Sequence, residues 1–454
     1  MLYYIKKNHL YITFPCITIV WKSHFNKSFS KQGCKPHQLK FNSTSHLRIP
    51  DSDDDQRISY HNMTQHSFSV FVHPRAFWNV RFGGVTRYIC EISRFLSSSG
   101  VDVQVPICDT PNEYFCNSPL LHAAEKITMP APLWVKYLRR LLIHTKHAER
   151  ARRCELYFEG LQYAKHAKYD IVHPSDTYST EILQYTKDKP LVITIHDMID
   201  EVYFSHDRGH QKTSARKKQF AVQADAIIAI SQHTKNDLIR LFDIPEEKIE
   251  VIYHGNSLKL PENHEKLQIS LPERYILFVG TRSGYKDFST LAKAFANITS
   301  HDATIKLVCA GGGPFTQAEL QFLDNLGILE KAEQRSVTDA ELAVLYNRSE
   351  CFVFPSEYEG FGMPILEAFE CGAPVICSKC SCFPEIARNG AVYFEKNNVS
   401  DLSNCILSVI NSFSEQERLR AEGKLRLADF SWAKAASQTL EVYHNVLQKR
   451  KHQV

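Results

Sequence analysis

The sequence has little net charge and no long apolar run, and each shortage removes a class of function. Its 454 residues carry 54 Lys and Arg against 50 Asp and Glu, a net charge of +4. A charge so small and scattered leaves no electrostatic footprint for nucleic acid. The apolar stretch from Leu10 to Trp21 is interrupted by Pro15, lacks a clear cleavage site, and is well short of the roughly 20 residues that span a bilayer. The 13 cysteines, spread from Cys16 to Cys405, form no compact disulfide framework, so free thiols in a reducing compartment are expected. Their one cluster, Cys377, Cys380 and Cys382, has neither a second ligand pair for zinc nor a thioredoxin-like context. No strand opens into a clean G-x-G-x-x-G with a suitably spaced acid, which argues against a dehydrogenase. The acidic run Asp51, Asp53, Asp54 and Asp55 imitates a metal-binding D-x-D, but it sits in a polar stretch rather than at a strand end.

What remains is a globular chain, 43% hydrophobic and 23% charged, longer than the roughly 250 to 300 residues at which one core divides. Residues 1–66 read as a flexible leader, with the functional protein expected to begin near Met63. From Phe68 onward, short apolar or β-branched runs alternate with helical patterns. One such series ends near Tyr253, and a second runs from Tyr275 to Phe394. The segment Asn256 to Leu271, rich in Pro, Glu, Asn and Lys, reads as the linker. This predicts an α/β chain with two doubly wound Rossmann-like domains facing across a cleft, with ligands beyond the carboxyl ends of the strands.

The densest chemical signal is SEYEGFGMPILEAFECGAPV, Ser356 to Val375, which follows the apolar run CFVF. Gly360 and Gly362 let backbone approach a ligand, and a helix start near Met363, with Pro364 in its first turn, offers free amides to an anion. Glu359 lies in the loop and Glu367 one turn into the helix, so both can face one pocket. Without the flanking glycines, a capped helix with a solvated glutamate would be the simpler reading. Arg282 and Lys286 follow the strand YILFV four residues apart, so a tight turn can bring both to one anionic group. Surface exposure is the ordinary fate of such a pair, and only the position at a strand end argues otherwise. His196 closes the apolar strand LVITI at the cleft rim, where a structural histidine is the common case.

The segment at Glu359 to Glu367 resembles the E-x7-E signature of the group 1, family 4 retaining glycosyltransferases of the GT-B fold. GGVTRY at Gly83, TIHD at Thr194, ADAIIAIS at Ala224, VGTRSGYK at Val279, AGGGP at Ala310 and FSWAKAA at Phe430 extend the likeness across most of residues 67–450. It implies an amino-terminal acceptor-side domain over 67–265, a nucleotide-sugar-binding domain over 266–430, and a crossing helix over 431–454 that returns to the first domain. By this resemblance Arg282 and Lys286 hold the donor pyrophosphate, Glu359 lies beside the donor sugar, and Glu367 accepts ribose hydroxyl hydrogen bonds. His196 contacts the sugar and phosphate. Gly83 and Gly84 form the glycine-rich loop near phosphate and acceptor, Gly360, Phe361 and Gly362 belong to the donor loop, and Val337 lies near the base. The implied reaction moves a hexose, mannose first among them, from a nucleoside diphosphate sugar such as GDP-mannose to a glycan or lipid-linked acceptor in polysaccharide biosynthesis. It keeps anomeric configuration and uses no metal or other cofactor, because fixed cations stabilise the departing phosphate. A non-catalytic nucleotide-sugar-binding protein is the alternative from another class. Two departures from the family pattern stand out: Lys379, Cys380 and Cys382 replace small hydroxyl residues, and Asp287 replaces Asn.

Leu133 to Arg153 combines Leu133, Trp134, Tyr137, Leu138, Leu141 and Leu142 with seven Lys or Arg and one Glu. This reads as one basic amphipathic helix, which either rests on an anionic membrane or packs its apolar face onto the first domain. The expected location is the cytoplasm, peripheral on the inner face of a membrane in the first of these cases. No nucleic-acid partner is expected.

Overall fold

The computed structural model describes residues 68–452 apart from 79, 108, 175–179, 268 and 283, together with the backbone of 2–6, 9–14 and 17–22. Most of the expected leader lies outside the described residues. Three of its segments, β1 (Leu2–Lys6), β2 (His9–Phe14) and β3 (Ile17–Lys22), pair antiparallel in that order. Residues 1–66 and 134–154 form one compact unit, and 67–133 with 155–454 form the other.

Among the described residues the larger unit has two rows of parallel strands, one in each lobe. In the first lobe, β4 (Ser69–Phe71), β5 (Asp102–Gln104) and β6 (Ile171–Val172) are ordered β5-β4-β6. A parallel bridge from Val172 to Leu191 continues this row into β7 (Val192–Ile195), β8 (Ala226–Ala229) and β9 (Ile249–Val251). The second lobe has six strands: β10 (Tyr275–Val279), β11 (Lys306–Ala310), β12 (Ala332–Arg335), β13 (Cys351–Phe354), β14 (Val375–Ser378) and β15 (Ala391–Phe394). Their order is β12-β11-β10-β13-β14-β15, and every neighbour is parallel. Central strands such as CFVF are buried throughout, as expected for a sheet covered on both faces. Each lobe accordingly has an apolar cluster on either side of its sheet.

Five helices of the larger unit position the site: α1 (Gly84–Ser98), α3 (Arg208–Gln223), α4 (Gln232–Phe242), α5 (Met363–Glu370) and α6 (Trp432–Lys451); α2 (Leu133–Leu142) begins the basic segment. Although it follows the second lobe in sequence, α6 contributes Trp432, Ala435, Ala436, Val442, Tyr443 and Val446 to the first lobe's core. A buried polar chain reinforces this return. Tyr443 Oη meets His173 Nδ1 at 2.6 Å, His173 Nε2 meets Thr194 Oγ1 at 2.9 Å, and Thr194 meets Tyr88 Oη at 2.8 Å. With every member paired, such a network fixes one docking geometry rather than leaving buried polar groups exposed to loss.

The basic segment is not the single helix expected over Leu133 to Arg153. It breaks after Leu142 and resumes as a second helix at Ala148–His166. Thr145 stands in the gap, donating its hydroxyl to Leu142 O at 2.8 Å and accepting from His147 N at 3.1 Å. That local bonding replaces the helical ladder.

Candidate active site

Loops at the carboxyl ends of β7, β10 and β13 converge where the lobes meet. His196 follows β7, and Gly360 follows β13. A Cβ on Gly360 would lie 1.8 Å from His196 O, so only glycine permits this approach of the two lobes. Thr234 Oγ1 on α4 donates to Gly360 O at 3.4 Å, and Tyr358 Oη donates to Asp237 Oδ2 at 2.6 Å. Glu385 accepts from Gln232 N and His233 N at 2.7 and 3.1 Å, so a second-lobe carboxylate caps the start of first-lobe helix α4. Gly362 precedes α5 in the left-handed region (φ 86°), and Pro364 takes a first-turn position that needs no donor. The expectation of free amides here is not met, because Pro364 has no donor and Ile365 N donates to Gly362 O at 2.9 Å, so what the start of α5 offers an anion is the positive end of its dipole.

Both carboxylates of the E-x7-E segment face a cation. Lys286 Nζ donates to Glu359 Oε1 at 2.5 Å. The loop carrying Glu359 is fixed from below, where Glu359 N donates to Ser381 Oγ at 3.1 Å and the Cys380 thiol to Glu357 O at 3.2 Å. Glu367 accepts from Arg87 Nη1 at 2.7 Å and from Tyr346 Oη at 3.2 Å. Burial pushes the Glu367 carboxyl up from the usual range, opposed chiefly by Arg87. Burial also works against the charge of Arg87, but Glu367, Tyr114 and Asp339 outweigh it and raise its pKa. We take the pair as ionised, because each charge has a direct hydrogen-bonded partner.

Arg282 and Lys286 are not brought to one point. The Arg282 side chain is 1% exposed and its donors are consumed by Glu319 Oε1 at 2.9 Å, Gly311 O at 3.1 Å and Gly313 O at 2.8 Å. A five-donor guanidinium four residues from a lysine has here been drawn to a neighbouring glycine turn rather than to the cleft. Asp287, the departure from the family pattern in this loop, caps the helix Phe288–Thr299 by accepting from Thr290 N at 3.2 Å.

His196 stacks edge-on to Tyr88, with ring centres 5.1 Å apart, and lies 5.8 Å from His254. Among the described residues its ring has no hydrogen-bond partner. Burial lowers its pKa to about 4, against a smaller opposing effect of Asp197, so it is a neutral imidazole at neutral pH. The adjoining loop is anchored by buried Lys217 of α3, which donates to Glu201 Oε2 at 2.9 Å and to Asp197 O at 3.1 Å. Gly83 precedes α1, and its carbonyl accepts from Thr86 Oγ1 at 2.9 Å. Gly84 opens α1 opposite Met363. Phe361 packs against His254 and Phe430, 5.0 and 5.7 Å away. Val337 is half-buried just after β12. Sequence reasoning missed Arg87, Lys217, His254 and Asp339. Arg87 alone had a signal, as a cation within the apolar pattern following Gly84. Among the described residues no group of three or more His, Cys, Asp or Glu is arranged to hold a metal ion.

The chain has relatives among known proteins. Residues 82–259 match the model for Glycosyltransferase Family 4, and 260–426 match that for Glycosyl transferases group 1. The chain is 29% identical over 269 residues to O-antigen chain mannosyltransferase B of Escherichia coli, covering 56% of this chain and 69% of that one. It is 26% identical over 398 residues to the MMP alpha-(1->4)-mannosyltransferase of Mycolicibacterium hassiacum, covering 80% and 95%. The fold matches that of Anabaena HepE, solved with UDP and glucose, at a TM-score of 0.64 and 17% identity, covering 84% of this chain and all of the other. With two family models meeting end to end across both lobes, the chain belongs to the group 1, family 4 glycosyltransferases of the GT-B fold and is an enzyme of glycosyl transfer.

Proposed function

We propose that the enzyme moves a hexose, mannose first among the candidates, from a nucleoside diphosphate sugar to a glycan or lipid-linked acceptor in polysaccharide synthesis, retaining anomeric configuration and needing no metal ion. The mannosyltransferase names of its relatives support the sugar, and GDP-mannose is the first donor to test. The observation that carries the reading is the placement of Glu359 and Glu367 beside Lys286, Arg87 and the start of α5. In this reading the donor diphosphate draws Lys286 away from Glu359, and the ammonium and the positive end of the α5 dipole neutralise the charge that builds as the anomeric carbon–oxygen bond breaks. Glu359 orients the sugar, neutral His196 hydrogen-bonds to sugar and phosphate, and Glu367 accepts from ribose hydroxyls. The acceptor oxygen forms its bond on the face the phosphate leaves, and its proton passes to the leaving phosphate oxygen. Gly83, Gly84 and the Gly360–Gly362 loop allow close approach, Val337 lies near the base, and Arg282 serves by holding the Gly311–Pro314 turn. Turnover of GDP-mannose and UDP-hexoses by the purified chain in chelator, with the product's anomeric configuration read by NMR, tests this. Activity lost in chelator and restored by magnesium or manganese overturns the metal-free mechanism, and an inverted product overturns retention.

A peripheral membrane contact belongs to the same reading. Leu133, Tyr137 and Leu141, four residues apart on α2, are 85%, 64% and 50% exposed, and Lys136 and Arg140 flank them. An exposed apolar stripe beside cations is the pattern of a helix lying in an anionic lipid interface. No helix among the described residues is long and apolar enough to cross a membrane. Co-sedimentation with phosphatidylglycerol vesicles should be strong at low salt and weaker at moderate salt, and absence at both removes the contact.

A further inference from the structure

We infer that Arg87 is a positioning residue for nucleoside recognition, holding the Glu367 carboxylate charged and turned so that its remaining lone pairs meet the ribose hydroxyls of the donor. This rests on the reading that Glu367 receives the ribose. An ionised carboxylate has about four lone-pair sites. Arg87 Nη1 takes one on Oε1 at 2.7 Å, and Tyr346 Oη takes one on Oε2 at 3.2 Å. Each oxygen keeps a free site, and two sites match two vicinal hydroxyls. Glu367 is 8% exposed, an environment in which a lone carboxylate would take up a proton and give up an acceptor. Arg87 removes that option by being fixed itself. Its Nη2 donates to Asp339 Oδ2 at 3.1 Å and to Tyr114 Oη, and its guanidinium lies over the Tyr114 ring.

The pair joins the lobes. Arg87 projects from α1, directly after the glycine loop, while Glu367 and Asp339 belong to the second lobe. The nucleoside pocket is thus complete only when α1 is seated, which links ribose recognition to the lobe expected to carry the acceptor. Lysine cannot replace this arginine, since one ammonium cannot span Glu367, Asp339 and Tyr114 with a planar fork.

The experiment measures how well UDP and GDP bind to the full chain relative to their 2′,3′-dideoxy analogues and to inorganic pyrophosphate, in the wild type and in Arg87→Met, Arg87→Lys and Glu367→Gln. Thermal unfolding confirms that each variant is folded. The wild type should prefer the ribose-bearing nucleotide. Arg87→Met and Arg87→Lys should lose that preference by about tenfold or more, about 1.4 kcal/mol, with pyrophosphate affinity changed less than about threefold. Donor KM should rise while kcat stays within about threefold. The double variant Arg87→Met/Glu367→Gln should be no worse than Glu367→Gln alone, because the arginine acts through the glutamate. Ribose preference intact in a folded Arg87→Met overturns the inference, and so does an equal loss of pyrophosphate binding, which would put Arg87 on phosphate. Ribose preference intact in Glu367→Gln, or no binding of either nucleotide to the wild type, overturns instead the reading of Glu367 beneath it.

Discussion

Two cations four residues apart on one loop have different fates. Arg282 is enclosed by backbone carbonyls and Glu319, while Lys286, among the described residues, has one hydrogen-bond partner, Glu359, on a loop lined with glycine. A ligand phosphate can compete for one ammonium held by one carboxylate. To free the guanidinium it must break several hydrogen bonds in a dry site. Spacing along the chain places both groups near a strand end, but the number of donors already satisfied decides which can leave for a substrate.

The largest effect that tests this difference is on stability. Arg282→Ala should destabilise the second lobe by about 3–5 kcal/mol in denaturant unfolding, because Glu319 and several carbonyls lose a buried partner. Lys286→Ala should lower kcat about a hundredfold, near 3 kcal/mol of transition-state stabilisation, with the unfolding midpoint nearly unchanged. A stable Arg282→Ala enzyme with hundredfold lower turnover would collapse the distinction. The first lobe sharpens it from another side, since its buried histidines make it the acid-sensitive half. Burial lowers the pKa of His196 to about 4 and those of His73 and His173 to about 3. His254 is also pushed well below its usual value. Each is depressed in the folded state, so its contribution is whole above about pH 6.5 and falls as pH drops toward the folded pKa, by about 1.4 kcal/mol per pH unit for each. Unfolding monitored from pH 7 to 4 should show this decline, and His173→Gln should make it shallower by one histidine's share. A pH-independent midpoint would contradict the buried neutral state. The smallest effect belongs to the lobe junction. Glu385→Gln should cost about 1 kcal/mol or less, through the cap it provides to α4.

The alternation of apolar runs with helical patterns located the two sheets because their strands are buried on both faces, as Val192–Ile195 and Cys351–Phe354 are. Strand β12 was not legible. Its residues Ala332, Glu333, Gln334 and Arg335 lie at a sheet edge, where partial burial sets no apolar pattern. The break at Thr145 was missed because one hydroxyl bonding locally leaves no trace in amphipathic spacing. In the site, Glu359, Glu367 and Lys286 lie on adjoining loops of one lobe, where short-range spacing is informative. Arg87 meets its partners 280 and 252 residues away, a proximity set by how the lobes seat and by nothing local.

The return of α6 has a consequence for synthesis. The ribosome delivers the first lobe's strands early, yet Trp432, Tyr443 and Val446 follow only after the whole second lobe. The half that is made first is therefore completed last. Until then part of one side of its sheet, the part α1 leaves to α6, stays uncovered, so nascent or truncated chains ending before Phe430 are the forms most exposed to chaperones, proteases and aggregation.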